Sequence, residues 1–293
     1  MRIVGIVSPG AMGSAVGAAY LAGGARVLTT LAGRSERTHS LAWQAGLELA
    51  PDLDAVVAEA ELVLSIAPPD QALAIAVALA EAAARSGARP LVSDWNAVSP
   101  ATARELAGTL EAAGLELVDG SISGGPPRAG YRTRVYLSGG RASELAEAAP
   151  PWLDLRVVGE EIGLASAVKM CTASVYKGYT ALLAHALTTA HSHGVLAEVL
   201  DDLHDSFPRQ IDRAARLLAV STAKAGRYVG EMNEIAATQA GVGLTPALFD
   251  AMAEAYERLA ETPLAAESPE SIPDAPELRD VLEQLGADAG ERT

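Results

Sequence analysis

From its first residues the chain alternates short apolar runs with longer Ala-rich stretches of helical period. Residues 2–7, RIVGIV, have no polar interruption after Arg2, the pattern of a strand buried on both faces. A turn, Ser8-Pro9-Gly10-Ala11-Met12-Gly13, leads into an Ala-rich helix over 14–23 and a second strand over 26–31. Further strands are predicted at 61–66, 91–94, 115–119, 134–138 and 155–158. Helices are predicted at 70–86 and 100–113, the second signalled by the cap Ser99 and by Pro100 at the first helical position. Such alternation implies an α/β fold with a doubly wound, mostly parallel sheet and helices on both faces.

Strand signals cease near Gly163. One long helix is predicted over 164–194, followed by helices near 198–220, 224–240 and 246–260. The expected organisation is a nucleotide-binding domain over 1–162 and an all-helical C-terminal domain over 163–262. The acidic, Pro/Ala-rich tail, 263–293, is expected to be disordered apart from a short helix at 277–285.

Composition narrows the classes. Of 293 residues, 49% are apolar and 4% aromatic, which favours close-packed helices. A net charge of −15 lacks the basic footprint of a nucleic-acid binder and is repelled by anionic membranes. No apolar run reaches transmembrane length. Cys171 is the only cysteine, so a disulfide within one chain and a thiolate metal site are both excluded. The first strand opens without a signal peptide ahead of it, and a cytoplasmic protein is expected.

The chemistry is read from four places. Gly10 and Gly13 fill the second and third glycine positions of the G-x-G-x-x-G fingerprint, and Ser8 stands at the first. Strand, turn, helix and second strand follow in the order of a Rossmann unit, so Ser8, Gly10, Ala11, Met12 and Gly13 are read as the pyrophosphate turn. NAD sites place a carboxylate at the end of the second strand. This chain has Ala32-Gly33-Arg34-Ser35 there, with no carboxylate before Glu36. Arg34 and Ser35 therefore point to the 2′-phosphate of NADP. Pro68, after the strand at 61–66, is counted with the cofactor residues. Asn96, in Asp94-Trp95-Asn96-Ala97-Val98-Ser99-Pro100, has two readings of equal weight: a contact to the nicotinamide half, or a turn residue capping the next helix.

The third place is Asp119-Gly120-Ser121-Ile122-Ser123-Gly124-Gly125-Pro126-Pro127, in which Ser123, Gly124 and Gly125 present a hydroxyl and backbone N–H groups to a substrate carboxylate. The fourth is Lys169, in the small, apolar stretch Gly163 to Ala173. A lysine there is costly to bury without a task, and a desolvated one serves as proton donor or acceptor. Lys177 lies two turns on. No metal is expected: His191 and His193 fall on different helix faces. Glu231 and Glu234 are read as a solvated face.

These residues together resemble the β-hydroxyacid dehydrogenase superfamily, which includes 3-hydroxyisobutyrate and 6-phosphogluconate dehydrogenases and the imine reductases. The Gly10–Gly13 turn, the Ser123-Gly124-Gly125 loop and the stretch from Gly163 to Lys169 fall in that family's order and spacing, over about residues 1–260. Lys169-Met170-Cys171 through Lys177-Gly178, with Gly230-Glu231-Met232, resemble a phosphogluconate-dehydrogenase-like branch with its own helical C-terminal domain. The resemblance implies that Lys169 is the acid/base group, that the Ser-Gly-Gly loop holds the substrate carboxylate, and that the protein is a homodimer. Two positions depart from the pattern: Ala173 where the family often has Asn, and Asn96-Ala97 in place of Ser-Thr. The substrate is therefore not carried over. The expectation is an NADP-dependent oxidoreductase for a small, anionic carbonyl or hydroxy acid. An imine reductase is the alternative, although such enzymes typically lack a lysine at this place, and a non-catalytic NADPH-binding protein is the other.

Overall fold

The computed structural model describes residues 1–286. It forms two compact units, Met1–Cys171 and a second beginning at Thr172. The first holds one sheet of eight strands: β1 Ile3–Val7, β2 Arg26–Thr29, β3 Glu48–Leu49, β4 Leu62–Ser65, β5 Leu91–Asp94, β6 Leu117–Ser123, β7 Thr133–Ser138 and β8 Leu153–Gly159. Their order across the sheet is β3-β2-β1-β4-β5-β6-β7-β8. The first six strands pair in parallel; β7 is antiparallel to β6, and β8 is parallel to β7. The reversal has a simple cause. A parallel return needs a crossover of about a dozen residues or more, and the turn between β6 and β7 is shorter.

Six helices belong to this sheet: α1 Ala11–Ala22, α2 Glu36–Gln44, α3 Leu53–Glu59, α4 Ala72–Ser86, α5 Pro100–Glu111 and α6 Ala142–Glu147. Successive strand residues feed opposite cores. Val4, Ile6, Leu62, Leu64 and Leu91 join one, and Val7, Val63 and Val92 join the other. That is the period-2 packing of a sheet covered on both faces. The pattern of apolar positions does not announce α2, β3, α3 or α6. Two of them carry capping signals: Ser35 Oγ accepts the Thr38 N–H, and Asp52 Oδ1 accepts the Ala55 N–H at 2.8 Å.

The remaining helices are α7 Leu164–Ser192, α8 Leu196–Ser206, α9 Pro208–Ile211, α10 Ala214–Thr222, α11 Ala225–Ala240, α12 Ala247–Ala260 and α13 Leu278–Gly286. The single helix expected over 198–220 is three. Pro208 lacks the N–H that would continue α8 and takes the first position of α9 instead. The tail also differs from expectation. Leu264, Ile272, Val281 and Leu282 are buried with Leu187 and Leu218 in the core of the second unit, because these apolar residues cover a face that α7 and α10 leave open. The last residues of the tail, 287–293, lie outside the described residues. Among the described residues no helix is long and apolar enough to cross a membrane.

Candidate functional site

The turn after β1 explains its own departure from the fingerprint. Ser8 has φ of 66°, the left-handed conformation usually left to glycine. A serine tolerates it at a cost of about 1–2 kcal/mol. The Gly10 N–H closes the turn on the Ser8 carbonyl at 2.8 Å. A Cβ on Gly13 would stand 2.6 Å from that same carbonyl oxygen, so only glycine fits. A Cβ on Gly10 would meet nothing within 4 Å. Open space therefore lies at the N-terminus of α1, where unpaired N–H groups and the helix dipole favour an anion.

At the end of β2, Thr29 is spent inside the sheet, its hydroxyl donating to the Ile6 carbonyl at 2.7 Å. The Thr30 hydroxyl is buried with no hydrogen-bond partner in the structure. Such an orphan beside the turn is a place for a ligand hydroxyl. The chain then bends, with the Arg34 N–H on the Leu31 carbonyl. Arg34 is exposed, and Ser35 caps α2. A guanidinium and a helix N-terminus thus adjoin. The turn, the open cradle and the orphaned hydroxyl fit a dinucleotide.

Asn96 is turned inward, away from both roles expected of it. Its Oδ1 accepts the Ala67 N–H at 2.5 Å, and its Nδ2 donates to Ser65 Oγ at 3.0 Å and Asp94 Oδ2 at 2.7 Å. Ser99 is the cap of α5 instead, accepting the Thr102 N–H. With its amide spent, Asn96 ties the end of β5 to the Ala67-Pro68 turn after β4. Asp94 anchors this link from a fully buried position. Desolvation, with a smaller push from Asp119, raises its pKa to about 7 against the hydrogen bonds of Ser65 and Asn96.

A second buried carboxylate organises β6 and α7. Strand β6 runs on through Ser123, so that Asp119 and Ser121 are strand residues. Asp119 Oδ2 accepts the Gly163 N–H at 3.0 Å, the Ser166 N–H at 3.1 Å and the Ser138 hydroxyl, while Oδ1 accepts the Ser166 hydroxyl at 2.7 Å. Gly163 has no side chain to cap α7; Asp119 caps it from another element and meets the positive end of its dipole. Ser121 Oγ donates to the Ala165 carbonyl at 2.8 Å. One turn on, Lys169 Nζ donates to the Ile122 carbonyl at 2.8 Å. Lys169 is half-buried, and its acceptor Ile122 is the residue immediately before the Ser123-Gly124-Gly125 loop. The structure therefore brings Lys169 and that loop together. Gly124 turns the loop with φ of 138°, and the Gly125 N–H meets the Tyr131 hydroxyl at 3.2 Å.

The second unit holds one buried ionic cluster. Glu231, read from the sequence as part of a solvated face, is only 4% exposed. It pairs with Lys177 and with Arg227. The Lys177 ammonium also lies 4.3 Å from the centre of the Tyr228 ring, which packs edge-on against Tyr256. Burial raises the pKa of both phenols. Lys177 is thus committed to a paired, structural site.

The parallel sheet and its first turn define a nicotinamide-dinucleotide-binding protein of the dehydrogenase and reductase class. Residues 3–162 match the family described as the NAD binding domain of 6-phosphogluconate dehydrogenase, and the chain belongs to that family. Residues 190–259 match a domain of unknown function, DUF1932. A conserved protein of unknown function, described as structurally similar to 3-hydroxyacid dehydrogenases, is 29% identical with a TM-score of 0.65, over 88% of this chain and 97% of that one. The Mycobacterium tuberculosis 3-hydroxyisobutyrate dehydrogenase, solved with L-serine, shares the fold at 19% identity and a TM-score of 0.68, over 97% and 99% of the two chains. A Streptomyces aurantiacus imine reductase shares it at 22% identity and 0.56, over 92% and 98%. The family places the chain among the NAD(P)-dependent oxidoreductases.

Proposed function

We propose that the protein is an NADPH-dependent oxidoreductase of small carbonyl or hydroxy acids, with Lys169 as its acid and base. The observation that carries this reading is the Lys169 ammonium on the Ile122 carbonyl, beside a glycine loop able to take a carboxylate. Ser8, Gly10, Ala11, Met12 and Gly13 form the pyrophosphate seat. Arg34 and Ser35 take the 2′-phosphate, which favours NADP over NAD. Pro68 faces the cofactor from a turn that Asn96 supports from below. The bound cofactor supplies the hydride. Ser123, Gly124 and Gly125 hold the substrate carboxylate and so fix which face of the carbonyl is presented. Lys169 donates its proton to the carbonyl oxygen as negative charge develops there. In the reverse direction, neutral Lys169 takes the proton from the hydroxyl.

The assembly is a homodimer through the helical domain. Val175, Tyr176 and Leu182 on α7, with Phe207, are large apolar side chains left exposed in the second unit, and contiguous exposed apolar surface marks an interaction site. Change in nicotinamide absorbance tests the reaction, on a panel of hydroxy acids, oxo acids and cyclic imines with NADPH and NADP. Turnover of the acids supports the proposal. Turnover of the imines alone supports an imine reductase, and no turnover at all supports a cofactor-binding protein without catalysis.

A further inference from the structure

From Gly120 to Ser143 the chain carries Arg128, Arg132, Arg134 and Arg141 and not one Asp or Glu, although its net charge is −15. Three of these arginines are spent on the fold. Arg132 donates to the Leu153 carbonyl at 2.7 Å, Arg134 pairs with Asp154, and Arg141 grips Glu144 with two bonds of 2.7 Å. Arg128 is different. Its guanidinium lies over the Tyr131 ring, 4.8 Å from the centre, with one long bond of 3.4 Å to the Pro126 carbonyl. No carboxylate among the described residues pairs with it.

Arg128 and Tyr131 face each other in a short bridge across the turn between β6 and β7. The Tyr131 hydroxyl accepts the Gly125 N–H, one of the donors that the proposed function assigns to the substrate carboxylate. Thr133 Oγ1 holds the Gly125 carbonyl at 2.6 Å and fixes the direction of that donor. A carboxylate is the stronger acceptor and displaces the phenol, since charge-assisted bonds are about twice as strong as neutral ones. The displaced ring carries Arg128 at the edge of the anion seat. Lys169 lies at the other end of the same loop, on Ile122. Two cations therefore flank a seat for one carboxylate.

We propose that Arg128 reads a second acidic group on the substrate, so that the enzyme acts on a small hydroxy or oxo acid carrying two anionic groups. This rests on the Ser123-Gly124-Gly125 loop being the carboxylate seat. The planar fork of Arg128 suits a carboxylate or a phosphate equally, and the choice of probe separates the two. Isothermal titration of the full-length, NADPH-loaded protein compares acetate, malonate and phosphonoacetate. Malonate, phosphonoacetate or both bind at least about tenfold tighter than acetate, the scale of one additional charge-assisted contact. The tighter of the two dianions identifies the second group. In Arg128→Gln that preference falls to within about twofold, with acetate and NADPH affinities kept, and Arg128→Lys restores part of it. Tyr131→Phe tightens acetate, because the competing hydroxyl is gone. Equal affinity for all three anions in the parent overturns the inference, as does equal weakening of all three in Arg128→Gln. In both cases the carboxylate seat itself stands. Absence of binding by any of the three overturns the carboxylate seat as well, and with it this inference.

Discussion

At the scale of single residues, Arg34 carries the proposal on cofactor choice and Asp94 a prediction on pH response. Arg34 stands exposed next to the cap of α2, and the sequence places no carboxylate before Glu36. In Arg34→Ala the preference for NADPH over NADH shrinks by ten- to a hundredfold, the worth of a charge-assisted contact of about 1.5–3 kcal/mol. Fluorescence titration with both cofactors reads the ratio; equal affinities in the parent contradict the assignment. Asp94 makes a statement about stability. Its pKa in the fold is raised to about 7 from 3.8. A raised carboxyl pKa gives stability that is fully present below the unfolded value and is lost as pH climbs through the folded one. The native protein therefore loses up to a few kcal/mol between about pH 4 and pH 7 on this account, with Asp119 as the neighbouring charge. In Asp94→Asn, melting temperatures measured from pH 5 to pH 8 show a flatter profile than the parent. An unchanged profile refutes the assignment. The tight turn at Ser8, Gly10 and Gly13 was legible in the sequence, because it sits in a local motif with a spacing of its own; the roles proposed for Arg34 and Lys169 rest on the same kind of local signal. Asn96 was not legible in this way. Its partners Ser65 and Ala67 lie on another strand end, and nothing near Asn96 in the chain reveals that its amide is already spent.

Among the elements, the joint between β6 and α7 decides where Lys169 stands. Asp119 accepts four hydrogen bonds, three of them from the first turn of α7 or its cap. In Asp119→Ala these donors are left buried and unpaired, at a cost of about 3–4 kcal/mol, read as a lower denaturant midpoint at unchanged slope. A loss below about 1 kcal/mol contradicts the capping role. The mostly parallel sheet and its longer helices follow from alternation and caps. Besides α2, β3, α3 and α6, three further features escaped that reading for physical reasons. Pro208 splits what hydrophobic period alone makes one helix. The tail is polar in composition, yet its few apolar side chains, Leu264, Ile272, Val281 and Leu282, are spaced to fill the second core. Glu231 looks like a surface residue of α11 until α7 brings Lys177 to it.

At the scale of the whole molecule, an acidic chain keeps one stretch, 120–143, with four arginines and no Asp or Glu, and leaves a group of apolar side chains exposed in its helical half. On the second property rests the prediction of a homodimer burying more than about 2,000 Å². Light scattering at micromolar concentration gives twice the chain mass; a monomeric mass contradicts it. The most direct measurement of the account is a pair of readings on Lys169→Met. General acid catalysis contributes about 10²–10⁴-fold, so kcat falls by that factor, while the Kd for NADPH stays within about twofold of the parent, because the turn at Ser8 to Gly13 and the Arg34 contact are untouched. Turnover within a few-fold of the parent, or loss of NADPH binding together with turnover, contradicts the assignment of Lys169 as the proton donor.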